Sequence, residues 1–172
     1  GWMFVPLVEY HGGGAAATLE PLAEHLAAYE AHLMQNFGSG VQACYRGPRI
    51  YDADATKAVV KKWVGFYKRH REILESDIIH LRRPDGRGLD GIMHVNAQLE
   101  TRGLALFFNP LDEAVERVWK LPLYYTGLRD RASIREGDGE VREYGLDREY
   151  AVELVVSVPG RGMSWYIIEG GR

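Results

Sequence analysis

The string in this chain that most suggests chemistry is His11-Gly12-Gly13-Gly14, a histidine followed by three glycines. Such a loop can present backbone N–H groups to an oxyanion, as in esterases, or to a phosphate at the start of a helix. Esterases also need a nucleophile in a G-x-S-x-G turn, and neither Ser39 nor Ser164 fits that pattern. A P-loop needs a lysine at a fixed spacing, which this segment lacks. Both reactions are therefore disfavoured, and His11 is interpreted as a turn residue or a binding residue.

Metal binding is the second chemistry to consider. The chain contains six histidines: His11, His25, His32, His70, His80 and His94. His25 and His32 are too far apart for a ligand pair one helical turn apart, and no H-E-x-x-H motif occurs. His80 and His94 flank a predicted hairpin and could face each other across it. No acidic cluster adjoins them and Cys44 is the only cysteine, so we predict neither a metal nor any other cofactor.

Composition narrows the classes of partner. The 172 residues are 46% hydrophobic and 26% charged, values typical of a soluble globular protein. A net charge of -3 gives no basic face for nucleic acid. No apolar run approaches the roughly 20 residues that span a bilayer. We therefore expect no nucleic-acid partner and no membrane partner.

The first half of the chain alternates strands and helices. Trp2–Val8 is apolar on both faces, as in a strand of a helix-covered parallel sheet. A helix begins near Pro21 and ends at the glycines 38 and 40. Its apolar stripe comprises Leu22, Leu26, Tyr29, Leu33 and Met34. A second strand is predicted over Val41–Arg46. With the helix that follows, this order predicts two βα units.

The following helix is predicted as one long element that runs directly into a β-strand. Asp54 is placed to cap its start. Its apolar stripe comprises Val59, Val60, Trp63, Val64 and Tyr67, followed by Ile73 and Leu74. Trp63 and Tyr67 are one turn apart, and we expect both to be buried.

Beyond Ser76 the hydrophobic period changes from helical to alternating. The predicted strands are Ile78–Arg82, Gly91–Val95, Leu104–Phe108, Val115–Leu121, Leu123–Thr126, Ala132–Arg135, Val141–Tyr144, Tyr150–Val158 and Met163–Ile168. Short strands at close spacing with turn signals between them indicate an antiparallel β-sandwich. The predicted fold class is therefore α/β followed by all-β, with domains at 1–76 and 77–172.

This arrangement resembles the C-terminal part of glycoside hydrolases built on a (β/α)8 (TIM) barrel, with α-galactosidase-like enzymes as the nearest group. The strings that carry the resemblance are WVGFYKRHREILESDIIHLRRPDG, DGIMHVN, GLALFFNP, LPLYYTGL and SWYIIE. The resemblance implies that residues 1–76 are the last two βα units of a barrel and that 77–172 form its C-terminal sandwich. Phe4–Tyr10 would then be the seventh barrel strand and Val41–Arg46 the eighth.

The resemblance also implies where a sugar would bind, because barrel enzymes build their sites at the C-terminal ends of the strands. That rule selects residues after the first strand, Glu9, Tyr10 and His11, and residues after the second, Tyr45, Arg46, Arg49 and Asp52. All of them except Arg49 are predicted to bind the substrate. A carboxylate and an arginine can hold hydroxyl groups, and aromatic rings can stack on a sugar face. The alternatives are purely structural roles: Glu9 only ends a core strand, and Arg46 forms an ion pair with Asp52 or Asp54.

Glycosidases usually need two carboxyl groups, and the resemblance places that pair on earlier barrel strands. We therefore expect this chain to be a C-terminal fragment whose catalytic residues lie outside it, with the N-terminal barrel portion and a carbohydrate as its partners. The alternative is a non-catalytic carbohydrate-binding or scaffold module. Five aromatic residues of the sandwich could form its sugar-stacking face or pack in its core: Trp119, Tyr124, Tyr125, Trp165 and Tyr166. The directions of their side chains decide between those roles.

Overall fold

A computed structural model of the chain describes residues 19–41 and 48–171. They divide into two compact units, one up to Arg71 and the other from Glu72. The first predicted strand lies outside the described residues, as does all but the first residue of the second. The two parallel βα units and the barrel therefore stay predictions.

The first unit contains helix α1, Leu26–Gly38, and helix α2, Asp54–Arg69. Helix α1 buries Tyr29, Leu33 and Met34, which confirms most of its predicted apolar stripe. The Tyr29 hydroxyl donates a hydrogen bond of 2.7 Å to the Ile50 carbonyl and so anchors the segment that leads into α2. Gly40 follows the helix with φ +70°, the left-handed conformation that glycine adopts without strain.

The buried stripe of α2 matches the prediction only in part, because Val60, Val64 and Tyr67 are half-buried. Val59, Trp63 and Phe66 are buried, and Trp63 is only 3% exposed, as predicted. Tyr67 is half-buried because Phe66 takes the inner position, with its ring edge-on to Trp63 at 5.8 Å. The Trp63 indole N–H donates to Glu30 Oε1 at 3.1 Å and so links α2 to α1.

Both ends of α2 correct the sequence prediction. The N-cap is Ala53, so Asp54 is the first helical residue. The Thr56 hydroxyl oxygen accepts the Ala53 N–H at 3.0 Å and takes over the capping role. At the other end, His70 leaves the helical region with φ -108° and ψ 17°, and a short helix α3, Arg71–Leu74, follows. The predicted single long helix is therefore two helices. No helix among the described residues is long and apolar enough to cross a membrane.

The second unit is built from eight strands that form two antiparallel sheets. The strands are β1 Asp77–His80, β2 Asp90–Val95, β3 Thr101–Phe108, β4 Val115–Pro122, β5 Arg131–Glu136, β6 Val141–Gly145, β7 Ala151–Val158 and β8 Met163–Gly170. Six of them form a sheet in the order β1-β2-β3-β8-β5-β6, and β4 pairs with β7. The predicted antiparallel character is confirmed.

The two sheets share one hydrophobic core. The large sheet contributes residues such as Met93, Phe107 and Ile168, and the small sheet contributes Trp119 and Leu154. The Phe107 ring meets the Trp119 ring edge-on at 4.8 Å. This packing of one sheet on the other is that of a β-sandwich.

The large sheet is also buried on its second face. Ile92, His94, Leu104 and Leu106 alternate with the core residues and are almost fully buried. The second face of the small sheet is exposed, as Val118 and Val155 show.

One predicted strand, Leu123–Thr126, is wrong. Tyr124–Thr126 form a 3-10 helix, which closes when the Gly127 N–H donates to the Tyr124 carbonyl at 3.2 Å. The Thr126 hydroxyl donates to the Leu123 carbonyl at 2.6 Å. A side chain that hydrogen-bonds to its own local backbone competes with the hydrogen bonds of a sheet. This segment therefore forms a local turn of helix and does not join a sheet.

Candidate functional site

Most of the predicted sugar pocket falls on residues that the structure does not describe. Glu9, Tyr10, His11, Tyr45 and Arg46 lie outside the described ranges. Their convergence on one surface stays a prediction. Of the residues selected at the strand ends, Arg49 and Asp52 are described, and the Arg49 Nε lies 3.5 Å from Glu20 Oε1.

Asp52 ties the starts of the two helical segments together. Its Oδ2 accepts the Ala23 N–H at 3.2 Å, and its Oδ1 accepts the Thr56 hydroxyl at 3.1 Å. Desolvation pushes the pKa of Asp52 upward, but these hydrogen bonds outweigh it and lower the pKa below its ordinary value. Asp52 is therefore a fixed, ionised carboxylate, and its role towards a ligand stays a prediction.

The five aromatic residues of the sandwich point in different directions. Trp119 and Tyr166 are buried, and Trp165 is half-buried. Tyr124 and Tyr125 are 57% and 61% exposed. Core packing therefore accounts for the first two residues and leaves Tyr124 and Tyr125 as the candidate contact surface.

A third tyrosine, absent from the sequence-based candidates, completes this surface. The Tyr124 ring lies 5.3 Å from the Tyr125 ring, nearly perpendicular to it, and 5.7 Å from the Tyr150 ring. We call Tyr124, Tyr125 and Tyr150 the tyrosine cluster. The Arg129 guanidinium lies over the Tyr150 ring at 5.3 Å.

Two turns hold the tyrosine cluster in place, and a backbone hydrogen bond joins them. The Leu123 N–H donates to the Tyr150 carbonyl at 2.8 Å. Leu123 and Thr126, which flank Tyr124 and Tyr125 in the sequence, are fully buried. Gly127 has φ +74°, which lets the chain leave the 3-10 helix at once. Sequence reasoning missed this arrangement because LPLYYTGL reads as an apolar–aromatic strand.

The second turn is organised by Asp147. Its Oδ1 accepts the N–H groups of Glu149 and Ala151 at 2.8 and 2.9 Å. Tyr150 has φ +57° in this turn, a left-handed conformation that is unusual for a bulky residue. The aspartate thus holds Tyr150 in a conformation that the free chain would disfavour.

The charged groups around the tyrosine cluster compensate one another. Lys120 Nζ lies 2.9 Å from Asp147 Oδ2 and also contacts the Glu149 carboxylate. Hydrogen bonds to Glu149 and Asp147 raise the pKa of Lys120. The Ala151 N–H and then Lys120 lower the pKa of Asp147. The Arg129 guanidinium over Tyr150 is a further positive group beside the cluster.

A cleft of about 520 Å³ opens at the β5–β6 hairpin. Its lining includes three carboxylates, an arginine and two tyrosines: Glu136, Glu140, Glu153, Arg142, Tyr144 and Tyr166. Burial, and then the nearby Glu136 carboxylate, raise the pKa of Tyr166, so its phenol stays neutral. Within the described ranges, no three histidine, cysteine, aspartate or glutamate side chains come together as metal ligands would.

Asp90 carries a buried carboxyl group whose pKa is raised well above its ordinary value. It starts β2, is only 3% exposed, and its Oδ2 accepts no hydrogen bond from the described residues. Burial raises its pKa to about 6. The Arg82 charge opposes this rise, the Asp85 charge adds to it, and the His80 charge opposes it to a smaller extent.

Comparison with known proteins gives a fold but no family. No family model and no curated protein matches the sequence. Among solved structures, an α-amylase from Geobacillus thermoleovorans, solved with acarbose, matches 86% of this chain at 12% identity and a TM-score of 0.53. AmyP, solved with maltose, matches 74% of it at 8% identity and a TM-score of 0.43. The matches cover 34% and 24% of those chains, so this chain spans about a third of the α-amylase. It shares a fold with part of that glycoside hydrolase.

Proposed function

We propose that this chain is the C-terminal portion of a (β/α)8-barrel glycoside hydrolase. Residues 1–76 supply the last two βα units, and the antiparallel sandwich stabilises them. The observation that supports this most strongly is the match over 86% of the chain to part of an α-amylase. A match over 86% of the chain extends beyond the sandwich alone, which supports a relation that involves more than residues 77–172.

The proposed substrate is an α-linked glucan. The α-amylase neighbour is solved with acarbose, and this supports a glucan over the galactoside that an α-galactosidase-like enzyme would take. The α-galactosidase-like assignment remains the alternative, and a galactoside substrate separates the two.

In this proposal the described Asp52 contributes to one rim of the sugar pocket. Each of its carboxylate oxygens already accepts one hydrogen bond from the protein. A carboxylate oxygen has a second acceptor position, so Asp52 can also accept a sugar hydroxyl. Glu9 and Arg46 would hold further hydroxyls, a ring of Tyr10 or Tyr45 would lie beneath the sugar, and His11 would complete the rim.

The proposal separates binding from bond cleavage. The carboxylate pair that cleaves a glycosidic bond would lie on barrel strands encoded upstream of Gly1. The 172-residue chain alone should therefore hydrolyse neither maltoheptaose nor a nitrophenyl α-galactoside. Glycosidase turnover by the chain alone that Glu9→Gln abolishes would overturn this division and make Glu9 catalytic.

The decisive experiment uses the complete open reading frame that encodes this chain. Its product should hydrolyse maltoheptaose, and Glu9→Gln and Arg46→Met should each lower kcat/KM about tenfold to a hundredfold. That range corresponds to the loss of one hydrogen bond to a charged group. Glu153→Gln in the sandwich is the matched control and should leave kcat/KM unchanged. A reading frame without preceding barrel strands would contradict the proposal.

A further inference from the structure

The tyrosine cluster exposes more aromatic surface than packing of the sandwich explains. Tyr124 and Tyr125 are both more than half exposed and adjacent in space. Single exposed apolar side chains are normal on a protein surface, whereas a contiguous aromatic group marks an interaction site. Because both side chains are more than half exposed, their rings offer aromatic contact area to a ligand.

The cluster is fixed in position by its surroundings. The Leu123–Tyr150 backbone hydrogen bond joins its two turns, and Thr126 bonds the Leu123 carbonyl beneath the rings. The Tyr124 and Tyr150 rings also contact each other. Because a ligand need not order these groups on binding, little conformational entropy is lost at that step.

The backbone conformation of Tyr150 points to a role for its ring. Its φ of +57° is one that glycine or asparagine adopts with less strain. Either residue would lose the ring contacts with Tyr124 and with the Arg129 guanidinium. Tyr150 is half-buried, and strained backbone conformations cluster at binding and active sites.

The charged groups at the cluster are engaged by neighbouring side chains. Lys120 is paired with Asp147 and Glu149, and the Arg129 guanidinium faces the Tyr150 ring. The three tyrosine hydroxyls make no hydrogen bond to the described residues, and each is adjacent to an apolar ring face. A neutral ligand with both apolar faces and a rim of hydroxyl groups fits this surface.

We infer that the tyrosine cluster binds a neutral oligosaccharide. The near-perpendicular Tyr124 and Tyr125 rings form a corner in which one sugar ring stacks on one tyrosine and meets the edge of the other. The Tyr150 hydroxyl and the Arg129 guanidinium supply hydrogen bonds to the sugar hydroxyls. The choice of an α-glucan as the ligand rests on the proposed function.

The inference is tested by titrating the complete 172-residue chain with maltoheptaose in a calorimeter, with cellohexaose as a second probe. Maltoheptaose should bind saturably. The double variant Tyr124→Ala/Tyr125→Ala should bind about tenfold more weakly or worse, as the loss of two ring contacts requires. Tyr124→Phe/Tyr125→Phe should retain most of the affinity because it keeps both rings. Val118→Ala and Val155→Ala, which truncate similarly exposed side chains of the same unit, are the matched controls.

A second measurement does not depend on the variants. Maltoheptaose should shift the ring-proton resonances of Tyr124, Tyr125 and Tyr150 in the wild-type chain, and leave those of the buried Tyr166 unchanged. Unchanged affinity in the double alanine variant, or shifts confined to other tyrosines, would overturn the inference and leave the proposed function standing. Wild-type protein that binds neither oligosaccharide, or that only self-associates through these tyrosines, would also overturn it. The proposed function fails separately, through the hydrolysis assay on the complete reading frame.

Discussion

The two sheets of the sandwich differ in how many of their faces are buried, and their sequences differ accordingly. In β3 every residue from Gly103 to Phe108 is buried, and β2 is buried throughout. In β7 buried and exposed residues alternate from Val152 to Val158, because one face of the small sheet is solvated. An uninterrupted apolar strand thus reports burial on both faces, and an alternating one reports burial on a single face.

A run of apolar residues indicates that a strand is buried on both faces, but it does not show whether the neighbouring strands are parallel or antiparallel. The apolar run Trp2–Val8 favours a parallel strand because parallel sheets are covered on both faces. Strand β3 is equally apolar, yet both of its neighbours are antiparallel. The prediction of a parallel pair therefore depends on the order of strands and helices and gains nothing from hydrophobicity alone.

The largest expected effect is in the shared core. Phe107 is fully buried, and its ring meets Trp119 and Tyr166 edge-on. Phe107→Ala should lower the free energy of unfolding by about 3 to 5 kcal/mol, measured by urea denaturation. Phe107→Leu is the control and should cost less, since it leaves a smaller cavity. A loss below about 1 kcal/mol would mean that the two sheets do not share a tight core.

The next effect tests the second face of the large sheet. Leu106 is fully buried on that face. Leu106→Ala should lower the free energy of unfolding by about 2 to 5 kcal/mol. A near-neutral result in the same denaturation experiment would show that this face is solvated, and the contrast between the sheets would disappear.

A smaller effect depends on pH and comes from Asp90, on the same buried face. Its folded-state pKa of about 6 lies above the ordinary value of 3.8, so the folded protein holds the proton more tightly. Stability should therefore fall as the pH rises from about 4 to 6, and stay low above that range. Asp90→Asn should remove this loss and be more stable than the wild type at pH 7.5, by roughly 1 to 3 kcal/mol.

The control for this prediction removes a carboxylate from a solvated position. Glu153 lies on the exposed face of β7, and Glu153→Gln should not reproduce the pH-dependent gain of Asp90→Asn. Unfolding curves of the three proteins at pH 3.5 and 7.5 make the comparison. Equal stability of the wild type and Asp90→Asn at both pH values would contradict the assignment of Asp90 as a buried carboxyl group.

The smallest effect is expected on the solvated face of the small sheet. Val118 and Val155 are 60% and 59% exposed. Val118→Ala and Val155→Ala should each change the free energy of unfolding by no more than about 0.5 kcal/mol. A large loss of unfolding free energy from either substitution would show that this face is covered in solution. Both sheets would then be buried on both faces.

Much of the sandwich could be predicted because its strands end at strong turn signals. Pro84-Asp85-Gly86 separates β1 from β2, and the glycines 137 and 139 separate β5 from β6. Periodicity likewise places Trp63 correctly inside α2. These features are local in sequence, so the residues themselves carry the information.

The errors arise where side chains compete with the backbone or where a distant segment decides burial. The Thr126 hydroxyl turns a predicted strand into a 3-10 helix, and Phe66 replaces Tyr67 on the buried side of α2. Tyr150 joins the tyrosine cluster only because Asp147 holds its turn and the Leu123 N–H reaches its carbonyl. Neither contact produces a recognisable sequence pattern, so the sequence alone does not predict that Tyr150 lies beside Tyr124.

The strand order gives the sheet a late step in its assembly. Strand β8 lies between β3 and β5, so a strand in the middle of the six-stranded sheet is synthesised after the other seven described strands. On a ribosome, β3 and β5 must wait without their common neighbour until Met163–Gly170 has emerged from the exit tunnel. Pairing across such long stretches of chain is slow, because loop closure precedes the contacts that reward it. The apolar residues of β3 are therefore the ones that most need protection from other nascent chains during that interval.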